Sequence, residues 1–207
     1  RMKWKILHAS MAVSESVVEN AIQSAERYVD DVLEGRIVAC RWIQLACQRH
    51  RKDLKDGHLR GIYFDKKSGA KIIAFFCHFL KFSKGRWAGQ PFIPQPWQAF
   101  ILWSLYGWKK ADGTRRFRRA YIQVARKNGK SELMAGICLY MMHAEGEHGA
   151  EVYSVATKRD QAQIIFKAAK EMLKKSPPLL KYLKPWRHQI EGLKLGGVML
   201  ALGSDAD

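Results

Sequence analysis

The residues with the most chemistry in their spacing are Gly129-Lys130-Ser131. A phosphate group needs a loop whose backbone N–H groups point inward at the start of a helix, where the helix dipole also favours an anion. Gly129 lets the backbone come close, Lys130 can set its ammonium on the β- and γ-phosphates, and Ser131 can offer a hydroxyl to Mg²⁺. Alone the triplet is a weak signal, since it arises by chance in roughly one chain in ten of this length. The full phosphate-loop motif also asks for glycine five residues before Gly129, where this sequence has Val124. The flanks favour it: an alternating stretch reads as a strand before it, and an apolar stretch reads as a helix after it. An NTP site and an ordinary basic turn both remain open on this ground.

The elements that must position this loop follow from periodicity. Ala120–Ala125 reads as a strand, Arg126–Ser131 as the break, and Glu132–Ala144 as an apolar helix. Glu151–Thr157 reads as a second strand and Lys158–Lys175 as an amphipathic helix with Ala162, Ile165, Phe166, Ala169, Met172 and Leu173 inward. Pro177-Pro178 stops that helix, and strands are expected near Gln189–Leu195 and Val198–Leu202 with a hairpin turn at Gly196-Gly197. Strand, loop, helix, strand, helix predicts an α/β fold with a parallel sheet flanked by helices.

Before Trp108 the pattern is helical. Ser16-Val-Val-Glu19 has the form of a capping box, followed by an apolar face of Val18, Ile22, Ala25, Val29, Val32 and Leu33 that ends at Gly35. A second helix from about Val38 is expected to turn Ile43, Cys47 and Leu54 inward, with Cys40 and Cys47 a buried pair on one face. A third runs from Ser68 to Phe82, and a fourth follows Pro94 and Pro96, with Trp97, Trp103 and Trp108 largely in the core. The divide predicts an N-terminal helical segment over 1–108 and a nucleotide-binding core over 109–207. Lys109–Arg119 between them is a basic turn, either a solvated face or a contact for DNA backbone or a neighbouring subunit.

Composition bounds the classes. The chain has 207 residues and a formal charge of +17, from 36 Lys+Arg and 19 Asp+Glu. Such a balance suggests a polyanionic partner and says nothing of the fold. Its 47% hydrophobic and 11% aromatic content excludes a disordered chain. The longest apolar run, Ile72–Leu80, is too short to span a bilayer, which needs about 20 residues. Met2–His8 lacks the sustained apolar core of a signal peptide. The four cysteines match no disulfide framework or zinc spacing.

Val124-Ala-Arg-Lys-Asn-Gly-Lys-Ser131 strongly resembles the deviant Walker A loop of tailed-bacteriophage terminase large subunits, the motors that package viral DNA. Ala39–His50, Gly85–Phe92, Pro96-Trp-Gln98 and Gly149–Ala162 are similar to further segments of that family in the same order. The resemblance implies a RecA-like, additional-strand P-loop NTPase fold, an ATPase activity and a C-terminal endonuclease domain. It implies ATP and Mg²⁺ as cofactors. It implies that Arg126, Lys127, Asn128, Gly129, Lys130 and Ser131 line the phosphates and that Ser131 meets the metal. Arg126 and Lys130 would be catalytic; the arginine finger would be Arg126 acting in cis or one from a neighbouring subunit. Gln98 would hydrogen-bond adenine, with Trp97 packed nearby.

Implied partners are double-stranded DNA, a portal protein, a small terminase subunit and further copies of the chain in a ring on the portal. No membrane is involved, and the place of action is the cytoplasm of the bacterial host. The family's acidic Walker B pair follows an apolar strand. Asp205 and Asp207 lie in Gly203–Asp207, which resembles the stretch before that strand. The chain is therefore expected to be the N-terminal part of such a protein, binding ATP but hydrolysing it hardly at all. A helicase-type P-loop motor and a non-catalytic nucleic-acid-binding or assembly module are the alternatives.

Overall fold

The computed structural model describes residues 13–203. The candidate carboxylates Asp205 and Asp207, and the Met2–His8 stretch, lie outside the described residues. The chain divides into two compact units, the first comprising residues up to Cys77 and Ile93–Ile122, the second His78–Phe92 and Gln123 onward.

The first unit contains α1 (Glu15–Leu33), α2 (Arg41–Asp56), β1 (Ile62–Phe64), most of α3 (Lys66–Phe79), α4 (Pro96–Gly107) and β2 (Trp108–Lys110). The apolar stripe read on α1 is buried at Val18, Ala25, Val29 and Val32, and it packs against α4 and α2. One core cluster joins Tyr28, Val29 and Val32 of α1 to Cys47 of α2 and Phe100 of α4, with Trp97 packed against it. The helix begins one residue after Ser14 rather than at the expected Ser16 box, and Ser14 and Ser16 spend their hydroxyls on each other at 2.9 Å. β1 and β2 form an antiparallel ribbon pairing Ile62 with Lys110 and Phe64 with Trp108. Three residues each is too short for periodicity to mark in sequence.

The α2 face differs from expectation. Ile43 and Leu54 are exposed, and the buried positions are Cys47, His50 and Asp53. Cys40 is exposed because the helix starts after it, at Arg41. The buried polar groups are satisfied by side chains. Trp108 donates its indole N–H to His50 Nδ1 at 3.0 Å, while Arg60 and Arg116 both donate to the Asp53 carboxylate. Phe64, Phe100 and Trp108 meet the His50 ring edge to face at 5.2–5.7 Å. Burial pulls the His50 pKa from 6.5 down to about 4, against the opposing pull of Asp53.

The second unit contains α5 (Lys130–His143), β3 (Glu151–Ala156), α6 (Arg159–Lys174), the one-turn α7 (Pro177–Leu180), β4 (Leu183–Pro185), β5 (Gln189–Gly192) and β6 (Val198–Gly203). Its sheet runs β3-β6-β5-β4. β3 and β6 are parallel, with Glu151 opposite Val198 and Ala156 opposite Gly203. β4–β5 and β5–β6 are antiparallel. The expected parallel sheet is thus present in one pair only. The reason is connection length: α6 gives β3 the crossover a parallel neighbour needs, whereas the last strands follow one another through short turns that can only reverse the chain. The turn at Gly196-Gly197 is of this kind, with Gly192 and Gly197 bonded at 2.7 Å.

The expected strand at Ala120–Ala125 takes no place in either sheet. Ile122 and Val124 are still half-buried and Tyr121, Gln123 and Ala125 exposed, so the alternation that predicted a strand is real. Alternation describes faces; a strand also requires a ladder along its edge. Pro177-Pro178 does end α6, and it opens the short α7, as proline at a first helical position does.

α6 covers one face of the sheet. Ala162, Phe166, Ala169, Met172 and Leu173 are buried as read, Ile165 is only half-buried, and Ser154 of β3 donates its hydroxyl to the Ala162 carbonyl at 2.8 Å. Among the described residues no helix is long and apolar enough to cross a membrane.

Candidate phosphate-binding loop

The loop lies in the second unit, between the extended segment ending at Ala125 and the first turn of α5. Its shape is a backbone property. Lys127 sits at φ 67° and Gly129 at φ 75°, and no other described non-glycine residue has positive φ. Asn128 between them is therefore of opposite hand. Residues of alternating hand turn successive N–H groups toward one side, the concavity that binds anions. Gly129 is also the N-cap of α5, and its carbonyl takes the N–H of Leu133 at 3.0 Å. The four N–H groups that a helix start leaves without intrahelical partners, and the positive end of the helix dipole, thus meet the loop.

The side chains suit the same ligand. Arg126, Lys127, Asn128 and Lys130 are exposed, and Ser131 is half-buried on the first turn of α5. Asn128 donates its amide to the Ala125 carbonyl at 3.3 Å, closing the loop across its base. These residues fit a polyphosphate: a helix start in a positive-φ frame with three cations and a hydroxyl. Arg126, Lys127, Asn128, Gly129, Lys130 and Ser131 stand together here by adjacency in the chain.

The other two anticipated site residues belong to the first unit. Trp97 and Gln98 lie on the first turn of α4. Gln98 is buried, and its Oε1 accepts the N–H of Gln95 at 3.0 Å. Its acceptor is thereby engaged in capping its own helix, so what Gln98 has to offer a ligand is its amide N–H donors. Trp97 is half-buried against the cluster around Tyr28 and Phe100.

Sequence reasoning missed a residue that bears on the loop. Ser83 is buried, and it gives both its N–H and its hydroxyl to the carboxylate of Glu132, the N–H at 3.2 Å to Oε2. Its carbonyl accepts Lys175 Nζ at 2.6 Å. Nothing in the local sequence marks a serine in Phe82-Ser83-Lys84 as a hub; only the pairing across 49 positions does.

A family model described as the terminase large subunit ATPase domain matches residues 96–207. The terminase large subunit of Enterobacteria phage HK97 is 30% identical over 140 residues, covering 66% of this chain and 27% of that protein. The crystal structure of the HK97 bacteriophage large terminase superposes with a TM-score of 0.56 at 29% identity, over 67% of this chain and 28% of that one. The chain thus spans little more than a quarter of the length of these relatives. With a family match that runs through the candidate phosphate-binding loop, α5 and the whole sheet of the second unit, this chain belongs to the terminase large subunit ATPase-domain family.

Proposed function

We propose that this chain is the ATP-binding part of a motor that packages double-stranded DNA into a procapsid. The observation that carries the reading is the alternating-hand loop at Lys127–Gly129 capping α5, with Lys130 and Ser131 on the first helical turn. The backbone N–H groups and Lys130 hold the β- and γ-phosphates, and Ser131 holds Mg²⁺. Bound Mg²⁺ offsets phosphate charge. Arg126, exposed at the loop's entry, supplies positive charge where the transferring phosphoryl group gains negative charge. Gln98 and Trp97 serve the adenine. Up to Trp108 the described residues form a helical segment, and from Lys109 they belong to a P-loop core of the RecA-like, additional-strand type.

The partners in this reading are double-stranded DNA, a portal, a small terminase subunit and further copies of the chain in a ring, working in the host cytoplasm. The net charge of +17 supports a polyanionic partner. An endonuclease belongs to the whole protein in this family. Titration with a non-hydrolysable ATP analogue tests the reading. Lys130→Ala is expected to weaken binding at least tenfold while urea unfolding stays within about 0.5 kcal/mol of the parent, as for an exposed side chain. Equal binding by Lys130→Ala would refute the assignment. Salt-sensitive DNA binding with no effect of nucleotide would favour the binding-module alternative.

A further inference from the structure

Glu132 is the third residue of α5, two after Lys130, and its behaviour is unusual for that position. A glutamate at the third helical position commonly reaches back to the N–H of its own N-cap residue. That residue here is Gly129, whose N–H belongs to the phosphate concavity. Instead the Glu132 carboxylate is carried the other way. Both of its oxygens are occupied by Ser83, one by the backbone N–H and one by the hydroxyl. Ser83 is itself buried at 6% exposure, and its carbonyl is fixed by the ammonium of Lys175 at the C-cap of α6. The segment bearing Ser83 is braced as a hairpin, with Phe82 N–H to Gln90 carbonyl at 3.0 Å and Phe92 N–H to Leu80 carbonyl at 2.9 Å. The rings of Phe82 and Phe92 pack 4.4 Å apart beneath it.

A carboxylate in the first turn of a helix has two consequences. It complements the helix dipole, and it competes with any anion for the same N–H groups and the same positive field. We propose that Ser83 is a positioning residue for the nucleotide: by taking both oxygens of Glu132 it keeps an internal carboxylate off the phosphate loop. The proposal rests on the phosphate-loop reading above. Lys175 contributes by fixing the Ser83 backbone, so that the N–H donor keeps its direction.

The test is affinity for a non-hydrolysable ATP analogue, measured on the 207-residue chain by calorimetry, with urea unfolding alongside. Ser83→Ala removes the hydroxyl donor and is expected to weaken analogue binding about tenfold, the loss of one charge-assisted hydrogen bond from the tie. The decisive variant is Ser83→Ala with Glu132→Ala, which removes the competitor that Ser83→Ala releases. Its affinity is expected to return to within about threefold of the parent, although it restores no stabilising contact. A purely structural role for Ser83 predicts that the double variant binds no better than the single one, and that result overturns the proposal. Parent-like affinity in Ser83→Ala also overturns it. If Ser83→Ala does not fold, Ser83→Cys keeps the shape with a weaker donor, and its affinity should be reduced and again restored by Glu132→Ala; a Ser83→Cys affinity equal to the parent's overturns the proposal. Failure of the underlying reading looks different: Lys130→Ala would then bind the analogue as the parent does, whatever Ser83 does.

Discussion

In the first unit the polar groups that matter are buried and held by other side chains, whereas in the second the loop that matters is exposed and shaped by its backbone. Asp53 is 4% exposed and takes two guanidiniums; His50 is 5% exposed and takes an indole N–H. The loop from Arg126 to Lys130 has most of its side chains in solvent, and its form lies in two positive φ values and a helix cap. The first arrangement suits a scaffold, since an unmade buried bond costs more than a made one contributes. The second suits a ligand site, since its donors stay available until an anion arrives. Substitution should therefore read out as stability in one unit and as ligand affinity in the other.

The largest effect that could break this contrast is at Asp53. Removing the carboxylate leaves Arg116, whose side chain is 17% exposed, without its ion partner, while the half-exposed Arg60 can turn to water. Asp53→Ala should cost about 3 kcal/mol in urea unfolding, the range for breaking a buried pair from one side. The remaining guanidiniums lie close together: Arg49 and Arg116 both sit over the Phe117 ring, at 4.9 and 4.8 Å, and burial, with a smaller push from the Arg116 charge, lowers the Arg49 pKa. A loss below about 1 kcal/mol would mean that the network is no scaffold, and the contrast between the units would fall.

The pH dependence of stability is the next test. Burial lowers the His50 pKa from 6.5 to about 4, so the folded state holds the neutral ring. A base whose pKa is depressed on folding contributes its full stability above the unfolded value, near pH 6.5. That contribution falls away as pH drops toward 4, because the unfolded chain takes up the proton first. The span corresponds to a loss on the order of 3 kcal/mol. Asp53 has its pKa lowered from 3.8, with Arg60 and Arg116 outweighing burial, so its own contribution fades only below that range. Urea titrations at pH 7, 5.5 and 4.5 should show the decline, and His50→Phe should flatten it while lowering the pH 7 value, since Trp108 Nε1 then lacks its acceptor.

These features also show what the sequence could convey. The stripe on α1, the buried face of α6 and the turn at Gly196-Gly197 were legible because apolar spacing and glycine report packing and turns directly. On the inward face of α2 only Cys47 was legible; His50 and Asp53 are inward because of polar partners, Arg60 seven residues beyond Asp53 and Trp108 and Arg116 far along the chain. Leu54 and Ile43 were misplaced by the same rule that placed Val29, since hydrophobicity says nothing about a polar residue whose partner is distant. The strand expected over Ala120–Ala125 failed differently: its faces alternate, but a ladder is a property of two segments and cannot be seen in one. At the candidate phosphate loop, Gly129-Lys130-Ser131 was visible in the sequence as a weak motif between an alternating stretch and an apolar helix. The positive φ of Lys127 and the hold of Ser83 on Glu132 were not, because one is backbone form at a residue that rarely adopts it and the other spans 49 positions.

The smallest effect is the most discriminating one for the second unit. Lys127 holds φ 67°, a conformation that costs a non-glycine residue about 1 kcal/mol or more. Glycine adopts it without that strain but gains freedom in the unfolded chain, which takes back roughly 0.5–1 kcal/mol. Lys127→Gly should therefore change urea unfolding by no more than about 0.5 kcal/mol, most simply in the stabilising direction. Lys127→Val, branched at Cβ, should lose about 1–2 kcal/mol although it removes no described contact. If the loop works through its backbone, Lys127→Gly keeps most of its affinity for a non-hydrolysable ATP analogue, while Lys130→Ala, with its backbone in ordinary helical form, loses far more. The reverse order would place the function in the Lys127 ammonium and not in the frame that Lys127 helps to build. That would remove the distinction between a unit organised by side chains and a unit organised by its main chain.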